Sequence, residues 1–232
     1  MKIFIFLALP GFMTAVDAAN SETYMTKKAI IVFVKNPEPG KVKTRLAKDI
    51  GDAAAVDVYR QLLRHTHDVL IPVTAGKFIF YADSINRLDL WETNLFYKQM
   101  QHGNDLGERM QHAFSFLFEL GYERVLVIGS DYPQLSTAHL NHAFELLETH
   151  DVCIGPADDG GYYLLGLRAV HPPFFSNKAW GTDTVYQSTI NDAAEAGLSV
   201  SVTEQLKNVD TLTDWEELKE LLDYQKASPI VK

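Results

Sequence analysis

From Lys27 onward, two hydrophobic patterns alternate along the chain. The runs "KKAIIVFV", "KFIFYAD", "VLVIG" and "DVCIG" are short and continuously apolar, as strands covered on both faces must be. Between them lie longer stretches with apolar residues at helical spacing. Val56, Tyr59, Leu62 and Leu63 mark one helix within residues 51–70, and Leu106, Met110, Ala113, Phe114 and Leu117 form one stripe of another. Asp105 and Glu108 fit a capping pair that opens the second helix, and Gly121 fits its stop.

The same alternation continues downstream. Ser136 can cap a helix over "STAHLNHAFELLETH", and the strands "DVCIG" and "GYYLLGL" follow. A helix from Thr182 to Ala196, a short strand "LSVSVT" and a last helix opened by Thr213 with Glu216 three residues on complete the pattern. Alternating strands and helices predict an α/β fold: a three-layer α/β/α sandwich around a mostly parallel central sheet. One domain over residues 25–226 with a 227–232 tail is expected, without internal repeat or linker.

Composition sharpens this picture. At 232 residues and 47% apolar content the chain can bury a large core. A formal charge of −9 argues against a nucleic-acid partner held by general phosphate attraction. The lone Cys153 lies in an apolar strand and reads as buried packing, not as part of a disulfide framework. Phe114, Phe116 and Phe118 read as packing, with Phe116 off the main stripe.

Residues 1–24 stand apart. Lys2, the apolar run Ile3 to Val16 and the small-residue site Val16-Asp17-Ala18 resemble a secretory signal peptide, which would mean export. The run is too short for a bilayer span and Pro10-Gly11 interrupts it. The other reading starts the protein at Met25 and makes it cytoplasmic.

In open α/β sheets, ligands bind beyond the carboxyl ends of the strands, so the polar residues that end each strand are the candidates. "KNPEPGKVKTRLA" brings Lys35, Lys41, Lys43 and Arg45 within eleven residues, and Gly40 lets the backbone approach a ligand. Lysine point charges and an arginine fork suit a di- or triphosphate, although the P-loop spacing is absent. In "VIGSDYPQL", Asp131 ends a strand that reads as buried, where a carboxylate needs compensation from a donor group or a hard cation. Asp210 could face it. Two carboxylates about 4 Å apart repel by roughly 4 kcal/mol at an effective dielectric near 20, which Mg²⁺ or Mn²⁺ would relieve.

In "GPADDGGYYLLGL", Asp158 and Asp159 precede Gly160 and Gly161, a pattern that serves a hairpin turn and close contact with a ligand equally well. Tyr162 and Tyr163 alternate faces, so at most one points into a cleft. His139 and His142 lie three apart on a helix without a third metal ligand in view.

Taken in order, "FVKNPEPGKVKTRLA", "GNDLGERM", "VIGSDYPQL", "GPADDGGYYLLGL" and "NVDTLTDWEEL" resemble a family of bacterial glycosyltransferase-like proteins, formerly a domain of unknown function. That family belongs to the GT-A, or nucleotide-diphospho-sugar transferase, superfamily. The resemblance covers about residues 28 to 222 and implies the GT-A fold with a nucleotide substrate and a divalent metal. Within it, Lys43 and Arg45 match the Lys-Thr-Arg loop and would bind phosphates, with Lys43 in a catalytic role. Asp131 and Asp210 match the acids that would hold Mg²⁺ or Mn²⁺. Asp159, Gly160 and Gly161 match an Asp-Gly-Gly element that would contact substrate or acceptor, Asp159 with a catalytic part. Gly103, Asp105, Leu106 and Gly107 match a Gly-x-Asp-Leu-Gly element expected at the nucleotide. Ser130 and Tyr132 depart from the threonine and cysteine common beside the central acid.

The resemblance implies a metal-dependent glycosyltransferase acting on a nucleotide sugar and an acceptor. Two alternatives stand beside it. The Lys-Lys-Arg loop suits a nucleotidyltransferase that joins a nucleoside triphosphate to a phosphorylated acceptor and releases pyrophosphate. The other is a nucleotide-binding module without turnover.

Overall fold

The computed structural model describes residues 26–227, so the expectations for residues 1–24 and for the tail beyond 227 lie outside the described residues. Seven strands and six helices follow one another among the described residues. They are β1 (Lys28–Val34), α1 (Thr44–Ile50), α2 (Asp52–Leu70), β2 (Gly76–Tyr81), β3 (Tyr97–Met100), α3 (Leu106–Glu119) and β4 (Arg124–Ile128). After these come α4 (Thr137–Leu146), β5 (Val152–Pro156), β6 (Tyr162–Leu167), α5 (Val185–Glu195), β7 (Val200–Val202) and α6 (Leu212–Ala227).

The strands form one sheet in the order β3-β2-β1-β4-β6-β5-β7. All neighbouring pairs are parallel except those of β6, which runs antiparallel to β4 and to β5. This is the expected three-layer α/β/α architecture of the GT-A class. The continuous apolar runs have the predicted cause. Ile30, Val32 and Val34 of β1 meet α2 and α4 on one face, through Val56, Tyr59, Leu63, Leu140 and Phe144. Ala29 and Ile31 meet α3 on the other, through Met110, Phe114 and Leu117. A third apolar cluster ties α6 to α1 and α2, with Leu218 and Leu222 against Leu46, Val58 and Leu62.

Topology decides where a ligand can sit. From β1 the chain winds outward through β2 and β3, then returns to place β4 on the other side of β1. The winding direction therefore reverses between β1 and β4. At such a switch point the connections leaving the two strands part in opposite directions, leaving a crevice at the carboxyl ends.

Three local expectations change. Helix α1 and strand β3 were not foreseen: α1 is a seven-residue element continuous in sequence with a basic loop, and β3 is a four-residue, half-buried edge strand without an apolar run. The last helix is opened by Thr211, not Thr213. Thr211 N–H donates to Asp214 at 2.8 Å and Asp214 N–H to Thr211 Oγ1 at 3.3 Å, a reciprocal capping box that moves the start two residues upstream. Phe116, off the main stripe, packs edge-on against Phe78 and Phe80 of β2. Cys153 is buried as expected, and burial pushes its thiol up to about 11. No helix among the described residues is long and apolar enough to cross a membrane.

Candidate functional site

A cleft of about 470 Å³ opens at the switch point. Its walls come from the segment after β1 (Lys35, Lys41, Lys43, Thr44, Arg45), the end of β4 (Ser130, Asp131), Gln101 after β3, Leu106 and Arg109 of α3, and Asp210 before α6. The sequence separates these residues by up to 175 positions; the parallel sheet brings them to one edge. Five cationic side chains and two carboxylates line the cleft, in a chain whose net charge is −9. The local balance is thus opposite in sign to the whole, which concentrates an anionic ligand here.

Asp131 is held in a defined way. Lys43 Nζ lies 2.6 Å from Asp131 Oδ2 and donates to the Val209 carbonyl at 2.6 Å. The Lys43 side chain is 4% exposed and that of Asp131 36%. Ser130 Oγ donates to Asp131 Oδ1 at 3.3 Å, and Val209 N–H donates to the Asp131 carbonyl at 2.9 Å. Of the two kinds of compensation expected for the acid at the strand end, the structure shows a donor group, the Lys43 ammonium. Lys43 adopts φ 46° and ψ 44°, a left-handed conformation that a residue with a side chain rarely takes, immediately before α1. That conformation turns its ammonium inward.

The neighbouring pair is open to solvent. Arg45 Nη1 lies 2.7 Å from Asp210 Oδ2, with the arginine side chain 69% exposed. Lys41 reaches Glu38 at 2.7 Å on the surface. Lys35 offers its backbone N–H to the Tyr59 hydroxyl at 3.1 Å, and burial followed by the Asp131 charge pushes the Tyr59 phenol up. Gly40 takes φ +72° with open space where a Cβ would stand, and it is not among the residues that line the cleft.

A smaller hollow of about 170 Å³ lies beside the cleft and shares Leu106 with it. Asp159, Gly161, Tyr132, Tyr162 and Trp180 are among its walls. The Asp-Gly-Gly element is the turn of the β5–β6 hairpin, closed by Ala157 N–H on the Gly161 carbonyl at 3.0 Å. Asp159 accepts from Gly161 N–H at 2.9 Å and from the Asn208 amide at 3.1 Å. Tyr162 faces the hollow while Tyr163 enters the core and meets Thr203 at 2.8 Å, so one of the two reaches a cavity. The phenol of Tyr132 is driven well above its ordinary range by burial, then by the charges of Asp159, Asp131, Asp158 and Asp210. Four carboxylates thus act on one buried tyrosine in the wall of the smaller hollow.

Several predicted positions serve the framework. Asp105 is the N-cap of α3 and accepts from Glu108 N–H at 2.8 Å. Gly103 has φ +139°, and a Cβ there would stand 2.6 Å from that of Glu108. A Cβ on Gly107 would stand 2.0 Å from the Phe175 carbonyl, so this glycine admits a backbone crossing. A Cβ on Gly160 would meet the Asp183 backbone at 2.3 Å. None of these four lines the main cleft; helix capping accounts for Asp105 and close packing for the three glycines. His139 and His142 take separate partners, Glu204 and Glu145. Gln101 and Arg109 went unforeseen as cleft residues. Arg109 carried a weak signal, a cation in the first turn after a capped helix start, whereas Gln101 follows the unforeseen strand β3.

Among the described residues no group of three or more His, Cys, Asp and Glu side chains converges on one point. A protein-only cage for a metal is therefore not built among them. Mg²⁺ is commonly held by one or two carboxylates together with water and substrate phosphates, and Asp131 and Asp210 provide such an oxygen-only pair.

The model of a family described as "uncharacterized protein conserved in bacteria (DUF2064)" matches residues 59–182. A 2-phospho-L-lactate guanylyltransferase of Methanothermobacter thermautotrophicus (strain Delta H) is 30% identical over 150 residues, which cover 65% of this chain. The match spans 61% of the length of that curated relative. A solved structure from Desulfovibrio desulfuricans G20, assigned as a nucleotide-diphospho-sugar transferase, is 33% identical with a TM-score of 0.76. The match covers 85% of this chain and 97% of that one. The structure of CMP:2-keto-3-deoxy-manno-octonic acid synthetase with CTP shares the fold at a TM-score of 0.54 and 10% identity, over 86% of this chain and all of that one.

Proposed function

This chain belongs to the DUF2064 family, and from that membership and the chemistry of its cleft we propose that it is a nucleotidyltransferase. The observation that carries this reading is the main cleft itself, where Lys35, Lys41, Lys43, Arg45 and Arg109 gather beside Asp131 and Asp210. Five cations suit the charge of a triphosphate better than that of a diphosphate. The guanylyltransferase relative supports the same chemistry and makes GTP the first nucleotide to test. The two active readings thereby exchange places, since the sequence resemblance put glycosyl transfer first.

In the proposed reaction a phosphate oxygen of the acceptor attacks the α-phosphorus of a nucleoside triphosphate. One P–O bond forms, the bond from the α-phosphorus to the bridging oxygen of the β-phosphate breaks, and pyrophosphate leaves with that electron pair. Lys35, Lys41 and Arg45 attract and orient the β- and γ-phosphates, and Arg109 neutralises charge at the α-phosphate or the acceptor. Lys43 holds the Asp131 carboxylate in place at the wall of the cleft. Asp131 and Asp210 would hold Mg²⁺ or Mn²⁺, which when bound supplies Lewis-acid stabilisation of charge on the phosphate oxygens. Their present partners, Lys43 and Arg45, hold the same carboxylates in place until then.

Glycosyl transfer is the second reading, favoured by the assignment of the Desulfovibrio desulfuricans structure. The products separate the two. With Mg²⁺, GTP and a pool of phosphorylated acceptors, nucleotidyl transfer releases pyrophosphate. Release of a nucleoside diphosphate from a sugar nucleotide would instead establish glycosyl transfer, and nucleotide binding without either product would leave a binding module.

A further inference from the structure

We propose that the 170 Å³ hollow receives the organic body of a small phosphomonoester acceptor, and that this body carries an amine and not a carboxylate. The word acceptor rests on the nucleotidyl-transfer reading; the chemistry of the hollow does not. Its walls include the rings of Tyr132, Tyr162 and Trp180, the side chain of Leu106 and one carboxylate, Asp159. No lysine or arginine lines it, although five line the adjoining cleft. Aromatic faces beside a carboxylate attract an alkylammonium group and repel an anion.

Size and position agree with this division. The hollow is little more than a third of the volume of the main cleft, too small to share a nucleotide's bulk but open to a short aliphatic body. Leu106 lines both spaces, and Arg109 follows one helical turn later in the main cleft. A phosphomonoester lying across Leu106 therefore places its phosphate among cations and its other end among rings and Asp159.

The wall carrying Trp180 is fixed in advance. The Lys178 ammonium, with its side chain 1% exposed, donates to Ser188 Oγ at 2.6 Å and is paired with Asp192, which ties this segment to α5. Trp180 itself closes over Gly107: a Cβ on that glycine would stand 2.9 Å from the indole. A preorganised wall loses little freedom on binding.

The test titrates the full chain with O-phosphoethanolamine and with phospholactate, by calorimetry, with and without GTP and Mg²⁺. The amine probe is expected to bind about tenfold more tightly than the carboxylate probe. Trp180→Ala should weaken the amine probe by about tenfold, and Trp180→Phe, which keeps a ring, should retain most of its affinity. Asp159→Asn should shrink the preference between the probes. Thermal melting checks that each variant is folded. Equal or tighter binding of phospholactate, no binding of either probe, or unchanged amine affinity in folded Trp180→Ala would overturn the proposal. Failure of GTP to bind or to release pyrophosphate counts against nucleotidyl transfer alone, because the probes are also titrated without nucleotide.

Discussion

The Lys43 ammonium stands 2.6 Å from both Asp131 Oδ2 and the Val209 carbonyl, so a single cation holds the end of β4 to the segment that leads into α6. Removing it leaves a partly buried carboxylate and a carbonyl without their partner. Lys43→Met is expected to destabilise the fold by about 1–3 kcal/mol, below the full cost of breaking a buried pair because water still reaches Asp131. Urea unfolding measures the loss. The double variant Lys43→Met/Asp131→Asn should recover part of it, which a double-mutant cycle will show.

Asp131→Asn and Asp210→Asn should each lower Mg²⁺-dependent GTP affinity by more than about tenfold while leaving metal-free GTP binding equal or stronger, since each removes a negative charge near the phosphates. Calorimetry with and without Mg²⁺ reads both quantities. If Asp131→Asn leaves the Mg²⁺-dependent part unchanged, this carboxylate is not a metal ligand.

The exposed pair Arg45–Asp210 predicts a different profile. Arg45→Gln should change stability by less than about 1 kcal/mol, as exposed ion pairs contribute little, yet weaken nucleotide binding and flatten its dependence on salt. Binding measured from low to high NaCl checks the slope. A loss of stability with unaltered affinity would make Arg45 structural.

Gly107→Ala forces a methyl group toward the Phe175 carbonyl and the Trp180 indole. The expected cost is about 1–3 kcal/mol, typical of overpacking, seen as a lower melting temperature. Gly40→Ala meets open space, so it should cost only the strain of its positive φ, about 1 kcal/mol. The contrast separates a packing glycine from a turn glycine within the motifs.

Cys153 sets a limit on the alkaline side. Its folded thiol ionises near pH 11, against about 9 when exposed, so the unfolded chain loses the proton first as pH rises. Stability from this group is complete below pH 9 and falls between 9 and 11 by about 1 kcal/mol per unit. Cys153→Ala should flatten that part of the stability curve. Alkylation at pH 8 should modify the unfolded chain and spare the folded one.

The sheet and its covering helices were legible because β1, β4 and β5 are buried on both faces and must read as unbroken apolar runs. The lining of the cleft was legible for a related reason: polar residues that follow the ends of such runs gather at one sheet edge, as Lys35, Lys41, Lys43, Arg45, Asp131 and Asp210 do. Strand β3 is half-buried at an edge and carries no such run, so Gln101 after it was hidden. Pairing was hidden as well. That Lys43 turns inward to Asp131 depends on one left-handed backbone angle, which spacing does not encode. Gly103 and Gly107 stand against neighbouring backbone and side chains, and Asp105 caps a helix, roles that look the same in sequence as contact with a ligand.

The cluster joining Leu218 and Leu222 to α1 and α2, together with the contacts of Val209 and Asp210, has a consequence for biosynthesis. The basic loop leaves the ribosome early; Asp131, which pairs with Lys43, emerges 88 positions later, and Val209 and Asp210, which complete the fastening, more than 160 positions later. A nascent chain therefore carries Lys43 and Arg45 without their full set of partners until the segment before α6 has been made.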